Sequence, residues 1–307
     1  MNIKMISILK DKTFITLLLS IVLILCIGAL RPEKQTKLYP KQYWVLKSQW
    51  TKCADMVFAG DSRVYAGISP EHINTTVANQ RIFNFGYSAN GYSKKYLAAI
   101  DNLIAPESIS KTIVLGIAPH TLTEETLTVN GFTDHQYTSA YNIYMQTHWP
   151  RFMYFITPMS FKDIKHGLIP KSQEKQFTRE YHANGWIASK LTPENTVYEK
   201  KYLKYFKENK VSDRIINNVI HQVKLWHSQG IKVYAFRPPA SPNMIQIEDN
   251  NSQFNQDQFI VKLSNAGGIW LDLNTTQYHT FDASHLTKLE AIRFSQDIGN
   301  LISTINP

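Results

Sequence analysis

Cysteine is nearly absent from this chain. Its 307 residues include only Cys26 and Cys53, and Cys26 lies inside an apolar run, so the part after that run cannot close a disulfide of its own. A small disulfide-stapled scaffold is excluded, and stability has to come from packing. Acidic residues are also scarce: 24 Asp+Glu against 33 Lys+Arg leave a net charge of +9. That excess suits an anionic membrane surface or polysaccharide. No basic cluster is interleaved with a recognition motif, so nucleic acid is not an expected partner. The ten His show no paired spacing with Cys or carboxylates, and neither a metal nor another cofactor is expected. Internal repeats and low-complexity tracts are lacking too. At 43% hydrophobic and 19% charged residues, the composition is that of a folded globular protein.

One long apolar run is present. Lys4, Lys10 and Lys12 precede an uncharged stretch from Phe14 to Leu30, and Arg31, Pro32, Glu33 and Lys34 follow it at once. Leu, Ile, Val and Phe occupy every side of the run, whereas a surface helix would keep a polar stripe. Its length is at the lower end for a membrane span and above that of a signal-peptide core, which favours a signal anchor over a cleaved signal peptide. Residues 1–31 are therefore read as a cytoplasmic tail and transmembrane anchor, with everything after Arg31 on the outer side of the membrane, periplasmic or at the cell surface. Residues 32–52 read as a connector and 53–307 as the main domain.

Within that domain, short apolar β-prone runs end on glycine or turn residues: Ala54–Ala59, Arg81–Phe85, Thr112–Leu115, Ile231–Phe236 and Gly268–Asp272. Helix-like stretches lie between them, at 69–79, 92–104, 211–229 and 284–304. Strands alternating with helices imply right-handed crossovers and a parallel sheet covered on both faces. The expected fold is a three-layer α/β/α sandwich with five parallel strands. The alternation lapses between 121 and 210, too long for a plain connection, which suggests an inserted helical lid. Its aromatic residues, Tyr137, Tyr141, Tyr144, Trp149, Phe152, Tyr154 and Trp186, read chiefly as the lid's own core, with stacking on sugar rings the other use open to them.

Ligands of open parallel sheets bind beyond the carboxyl ends of the strands. After the first strand comes Gly60-Asp61-Ser62-Arg63. A Ser at such a strand-to-helix turn exposes its hydroxyl and presents its own N–H, as a nucleophile requires, though Ser is also a common helix cap. After the last strand comes Asp282-Ala283-Ser284-His285, whose spacing lets a carboxylate bond one imidazole nitrogen while the other faces a hydroxyl. Each motif is common by chance. Their joint placement after the first and last strands carries the signal, and the chain order Ser, Asp, His is compatible with a catalytic relay. Arg63 and Arg237 follow strands and are candidates for binding an anionic substrate group; tying down a loop is the alternative for each.

On these residues the chain resembles the SGNH hydrolase superfamily, the GDSL-like esterases, over most of 54–304. The resemblance implies a flavodoxin-like five-stranded sheet, Ser62 as nucleophile, His285 as general base and Asp282 as its orienting partner. The segment Phe83-Asn84-Phe85-Gly86-Tyr87-Ser88-Ala89-Asn90-Gly91 looks like the family's second block, with Ala89 where the oxyanion-hole Gly is expected. The third block normally supplies an Asn; here Gly116 is followed by Ile117-Ala118-Pro119-His120. Loss of one such donor is worth about 3 kcal/mol of transition-state stabilisation. His120, Asn84 and Asn90 are the candidate replacements. These departures are similar to the anchored, envelope-facing branch that includes O-acetyltransfer and D-alanylation proteins, which commonly work beside a polytopic membrane O-acyltransferase. The expected function is thus a serine esterase or O-acyltransferase acting on an acylated envelope polysaccharide or glycolipid. The alternative is a non-catalytic accessory that binds glycan or docks on the acyltransferase.

Overall fold

The computed structural model describes residues 12–29, 38–77, 80–136 and 176–305, together with isolated positions between 139 and 153. The chain divides into two compact units, Met1–Val45 with Thr138–Glu174, and Leu46–Tyr137 with Lys175–Pro307. The first contains helix α1, Lys12–Ala29, whose side chains from Phe14 to Leu25 are exposed and apolar wherever they are large. Among the described residues no helix is long and apolar enough to cross a membrane. The 18 residues of α1 reach about 27 Å at 1.5 Å per residue, against about 30 Å of hydrocarbon core. A second helix, α2, Leu38–Gln49, occupies much of the stretch read as a connector.

In the second unit five parallel strands run β1 (Met56–Ala59), β2 (Ile82–Asn84), β3 (Thr112–Gly116), β6 (Lys232–Phe236) and β7 (Ile269–Trp270), in the spatial order β2-β1-β3-β6-β7. Each falls within its expected run apart from β3, which continues one residue to Gly116, and the order is the doubly wound one that starts in the middle and reverses once. Every residue of β1, β2 and β3 is buried, as a sheet covered on both faces requires.

The flanking helices are α3 (Ser62–Gly67), α4 (Pro70–Asn74), α5 (Lys94–Leu103), α6 (Gly131–Gln136), α7 (Val197–Glu208), α8 (Asp213–Ser228), α9 (Pro242–Asn251), α10 (Gln256–Asn265) and α11 (Lys288–Ile305). They pack as two groups, α3, α4 and α11 in one and α5, α8 and α10 in the other. Met56, Phe58, Val114, Tyr234 and Phe236 alternate along their strands into one cluster with Val64, Ile73, Phe294 and Ile298. Helix boundaries follow local chemistry. The Ser93 hydroxyl accepts from Tyr96 N–H at the start of α5, and Ser241 accepts from Met244 N–H at the start of α9, where Pro242 fills the first turn.

The expected lid is only partly helical. Residues 138–174 belong to the other unit. The rest of 121–210 supplies α6, α7 and an antiparallel hairpin of β4 (Gln176–Tyr181) and β5 (Ile187–Thr192). The hairpin is anchored by its tip. Trp186 is buried in the main core with its indole N–H on Ala66 C=O (2.9 Å), and Asn184 C=O accepts from Asn84 N–H (2.9 Å), covering part of the edge of β2. Of the insert's other aromatics, Tyr141, Tyr144 and Trp149 are exposed, while Tyr137, Phe152 and Tyr154 lie outside the described residues.

Gly185 is required at that tip. Its φ is +94°, and a Cβ there would lie 1.9 Å from the Asn84 carbonyl oxygen. The buried Lys47 ammonium donates to the carbonyls of both Gly86 and Gly185, at 2.8 and 2.9 Å, which joins the tip to the turn after β2. Gly185→Ala is expected to destabilise the protein by about 2–4 kcal/mol through backbone strain and displacement of the hairpin. The check is a lower urea midpoint at an unchanged slope.

Candidate functional site

β1 ends at Ala59, and the chain turns at once into α3. Asp61 caps that helix, its Oδ1 accepting from Arg63 N–H at 2.9 Å, and Ser62 occupies the first helical position. The turn is supported from beneath. The Tyr96 hydroxyl accepts from Gly60 N–H (2.9 Å) and donates to Phe85 C=O (2.6 Å), and Tyr92 donates to the carbonyls of Ala59 and Gly116. Gly86 closes on it from the side: a Cβ there would lie 2.5 Å from Tyr65 N and 2.8 Å from Asp61 O.

Asp282 and His285 arrive from the far end of the chain. They do not open the last helix as expected, because α11 begins at Lys288 and the two lie in a loop before it. The loop is closed by Asp282 itself, whose Oδ1 accepts from the N–H groups of Ser284 (3.0 Å) and His285 (2.7 Å), with Ala283 at φ +71°. The other carboxylate oxygen bonds His285 Nδ1 at 2.8 Å, and His285 Nε2 lies 2.8 Å from Ser62 Oγ. The three side chains form one unbroken hydrogen-bonded chain. Burial works to raise the Asp282 carboxyl, but the bonds from His285 and the two backbone N–H groups outweigh it and hold the group below the usual carboxylate range. Asp282 is therefore ionised at neutral pH. With Nδ1–H directed at that carboxylate, Nε2 is left as the acceptor for the Ser62 hydroxyl. Phe281 stacks on the imidazole and Tyr198 meets it edge-on, fixing the ring.

The chain opens on a cleft of about 600 Å³. Ser62, Ala89, His120, Asp282 and His285 line it, with Phe177, Arg179, Ser189 and Leu191 from the hairpin and Val197, Tyr198, Lys201, Tyr202 and Tyr205 on or beside α7. Ala89 adopts φ +49°, the left-handed conformation that favours glycine, and bears the strain of a side chain there. The N–H groups of Ser62 and Ala89 have no partner among the described residues.

Of the three candidate replacement donors, only His120 reaches the cleft. His120 lines the cleft, but its Nε2 stands 3.1 Å from Asp61 Oδ2, without the alignment of a hydrogen bond, and its Nδ1 is 3.4 Å from the Tyr202 hydroxyl. Burial pushes its imidazole down, so the ring is neutral at neutral pH. Asn90 is buried with both amide atoms unpartnered among the described residues and does not line the cleft. The Asn84 side chain is consumed structurally, donating to the carbonyls of Val64 and Ile68 and accepting from Gly86 N–H.

Arg63 and Arg237 also depart from their expected role. Neither lines the cleft. Both lie on the fully buried Glu248, Arg63 Nη2 at 2.5 Å and Arg237 Nη2 at 3.1 Å, and Arg237 also meets Asp249 at 2.8 Å. Arg63 Nε donates to Ser284 Oγ at 3.0 Å, so the residue after Ser62 is bonded to the residue before His285. Burial alone would raise the Glu248 carboxyl, but the two guanidinium groups hold it low and charged. Sequence reading missed Glu248, which lies in a polar helix with no motif around it. It also missed the hairpin, which Asn184-Gly185 between β-prone runs does signal.

No protein family and no curated protein matches this chain. The ion cluster makes its own prediction. Glu248→Gln leaves two buried guanidinium groups without a full countercharge and is expected to cost about 3–5 kcal/mol of stability. Asp249→Asn, at the half-exposed end of the network, is expected to cost about 1 kcal/mol or less. Paired denaturant titrations separate the two.

Proposed function

We propose that this chain is an SGNH-type serine esterase or O-acyltransferase acting on acyl esters of a cell-envelope glycan or glycolipid. The observation that carries the reading is the Asp282–His285–Ser62 chain, at 2.8 Å for each side-chain link, on the wall of a cleft large enough for a sugar ester. His285 Nε2 takes the Ser62 proton as Oγ attacks the acyl carbonyl, and the N–H groups of Ser62 and Ala89 receive the developing oxyanion. His285 then returns the proton to the departing alkoxide, leaving acyl-Ser62. Water or a sugar hydroxyl, deprotonated by His285, attacks the acyl carbon and releases Ser62. Asp282 steadies the imidazolium in both halves.

On this reading residues 1–31 anchor the chain, the all-round apolar exposure of α1 suits lipid, and the domain works outside the cytoplasm beside a polytopic acyltransferase. A second reading is a non-catalytic accessory that binds glycan or docks on the acyltransferase. The lack of an Asn after Gly116, with His120 drawn toward Asp61 and Tyr202 in its place, is the observation in its favour.

A serine-directed fluorophosphonate separates them. Full-length protein in detergent is expected to gain one adduct, mapped to Ser62. Ser62→Ala is expected to abolish labelling, and His285→Ala to slow it by about 10⁴-fold or more. A folded wild-type protein that neither labels nor cleaves a small ester would favour the accessory role.

A further inference from the structure

Several exposed cations of the second unit are neutralised on the spot. Arg81 pairs with Asp55 and Glu107, Lys288 with Glu180, Arg214 with Glu124, and Arg293 with Glu290. Arg63 and Arg237 are spent on Glu248. Arg179 of β4 and Lys201 of α7 differ in place and in company. Both line the cleft that holds Ser62, and among the described residues neither has a carboxylate within 4 Å. Each lies over an aromatic ring instead, Arg179 over Phe177 and Lys201 over Tyr198, both at 4.6 Å, and both rings also line the cleft; Arg179 Nη2 also donates a long bond to the Tyr65 hydroxyl at 3.5 Å.

This arrangement has a chemical consequence. A cation resting on a ring face is held in place while its N–H groups stay available at the ring's edge, and guanidinium in particular offers paired donors to a planar or tetrahedral oxyanion. The acids of the cleft do not cancel the pair. Asp282 is committed to His285, which leaves Glu125 against two cations. The phenols of Tyr65 and Tyr205, both pushed up to about 12 by burial, add no charge; Tyr65 accepts from Arg179 and Tyr205 is bonded to the Thr123 hydroxyl.

We propose that Arg179 and Lys201 form a subsite for an anionic group, a carboxylate or a phosphate, carried by the ester that Ser62 attacks. The proposal rests on the reading of Ser62 as nucleophile, and it names the residues that select the substrate in place of Arg63 and Arg237. In the Michaelis complex the anion would displace neither ring contact. It would bridge the strand and the helix, drawing the hairpin and α7 together over the reacting carbonyl.

The test compares three acetyl esters of one shape, 4-acetoxybenzoate, 4-acetoxyphenyl phosphate and the neutral 4-acetoxybenzamide, hydrolysed by the full-length protein at low and high salt. One or both anionic esters are expected to show a KM roughly tenfold below the neutral one at low salt, the combined effect of two exposed ion pairs. Which of the two is favoured separates carboxylate from phosphate. That ratio is expected to fall to about one at high salt and in the Arg179→Gln/Lys201→Gln double variant. Equal KM values in the wild type, or a preference that survives the double substitution, would overturn the subsite.

A binding measurement keeps the two readings apart. The uncleavable amide 4-acetamidobenzoate is titrated calorimetrically into wild type and the double variant, with 4-acetamidobenzamide as the neutral control. Tighter binding of the anionic amide, lost in the double variant, upholds the subsite even if no ester turns over and the nucleophile reading fails. Indistinguishable binding of the two amides overturns it.

Discussion

The guanidinium of Arg63 is the contact on which the site depends. Ser62 and His285 are separated by more than two hundred positions in the chain, yet they must meet to within a hydrogen bond. Arg63 spans the gap one residue to the side, from the helix of Ser62 to Ser284 in the loop of His285, and its charge is answered by Glu248. Charges in a buried position are expensive to desolvate, so the cluster is tolerable only with its partners complete. Glu248 accepts from two arginines at once, which locks α9, the end of β6 and the start of α3 into one rigid block. The relay is then aligned by construction and needs no rearrangement to form.

The rest of the fold serves that block. Parallel strands deliver their carboxyl ends to one edge, where β1 supplies the turn bearing Ser62 and the segment after β7 supplies the loop bearing Asp282 and His285. Buried tyrosines brace the first turn from below, and Gly86 lets the turn after β2 close on it to backbone contact. The hairpin and α7 then wall the cleft, tied down at the far end by Trp186 and by the bonds of Lys47 to two turns. The site combines a rigid floor with walls from an element absent from the minimal sheet, an arrangement that leaves selectivity to the walls.

What could be read from sequence was whatever is local or periodic. Three of the five parallel strands are legible as short apolar runs ending at Gly60, Gly86 and Gly116 and two as runs ending at Arg237-Pro238-Pro239 and at the turn residues after Asp272, and the placement of Ser62, Asp282 and His285 after the first and last strands points to their meeting. Side-chain partners across long separations were not legible. Arg63 and Arg237 follow strands and look like substrate ligands until Glu248, unmarked in a polar helix, proves to hold both. His120 occupies the expected strand end, but its ring is turned between Asp61 and Tyr202, which nothing in its neighbours announces. The helical start assumed for Asp282 and His285 was also wrong in mechanism: their three-residue spacing works through a carboxylate-closed loop with Ala283 left-handed, and not through helical geometry.

The central claim is that Ser62 is a nucleophile activated by His285 and passes through a covalent acyl intermediate. Trapping that intermediate tests it most directly: the full-length protein is mixed with a chromogenic acetyl ester, quenched in acid within the first turnover, and weighed intact before peptide mapping. The account predicts a burst of released chromophore matched by one acetyl group on Ser62. A folded protein that turns the ester over with no acetyl on Ser62, or that carries the label on another residue, would contradict it.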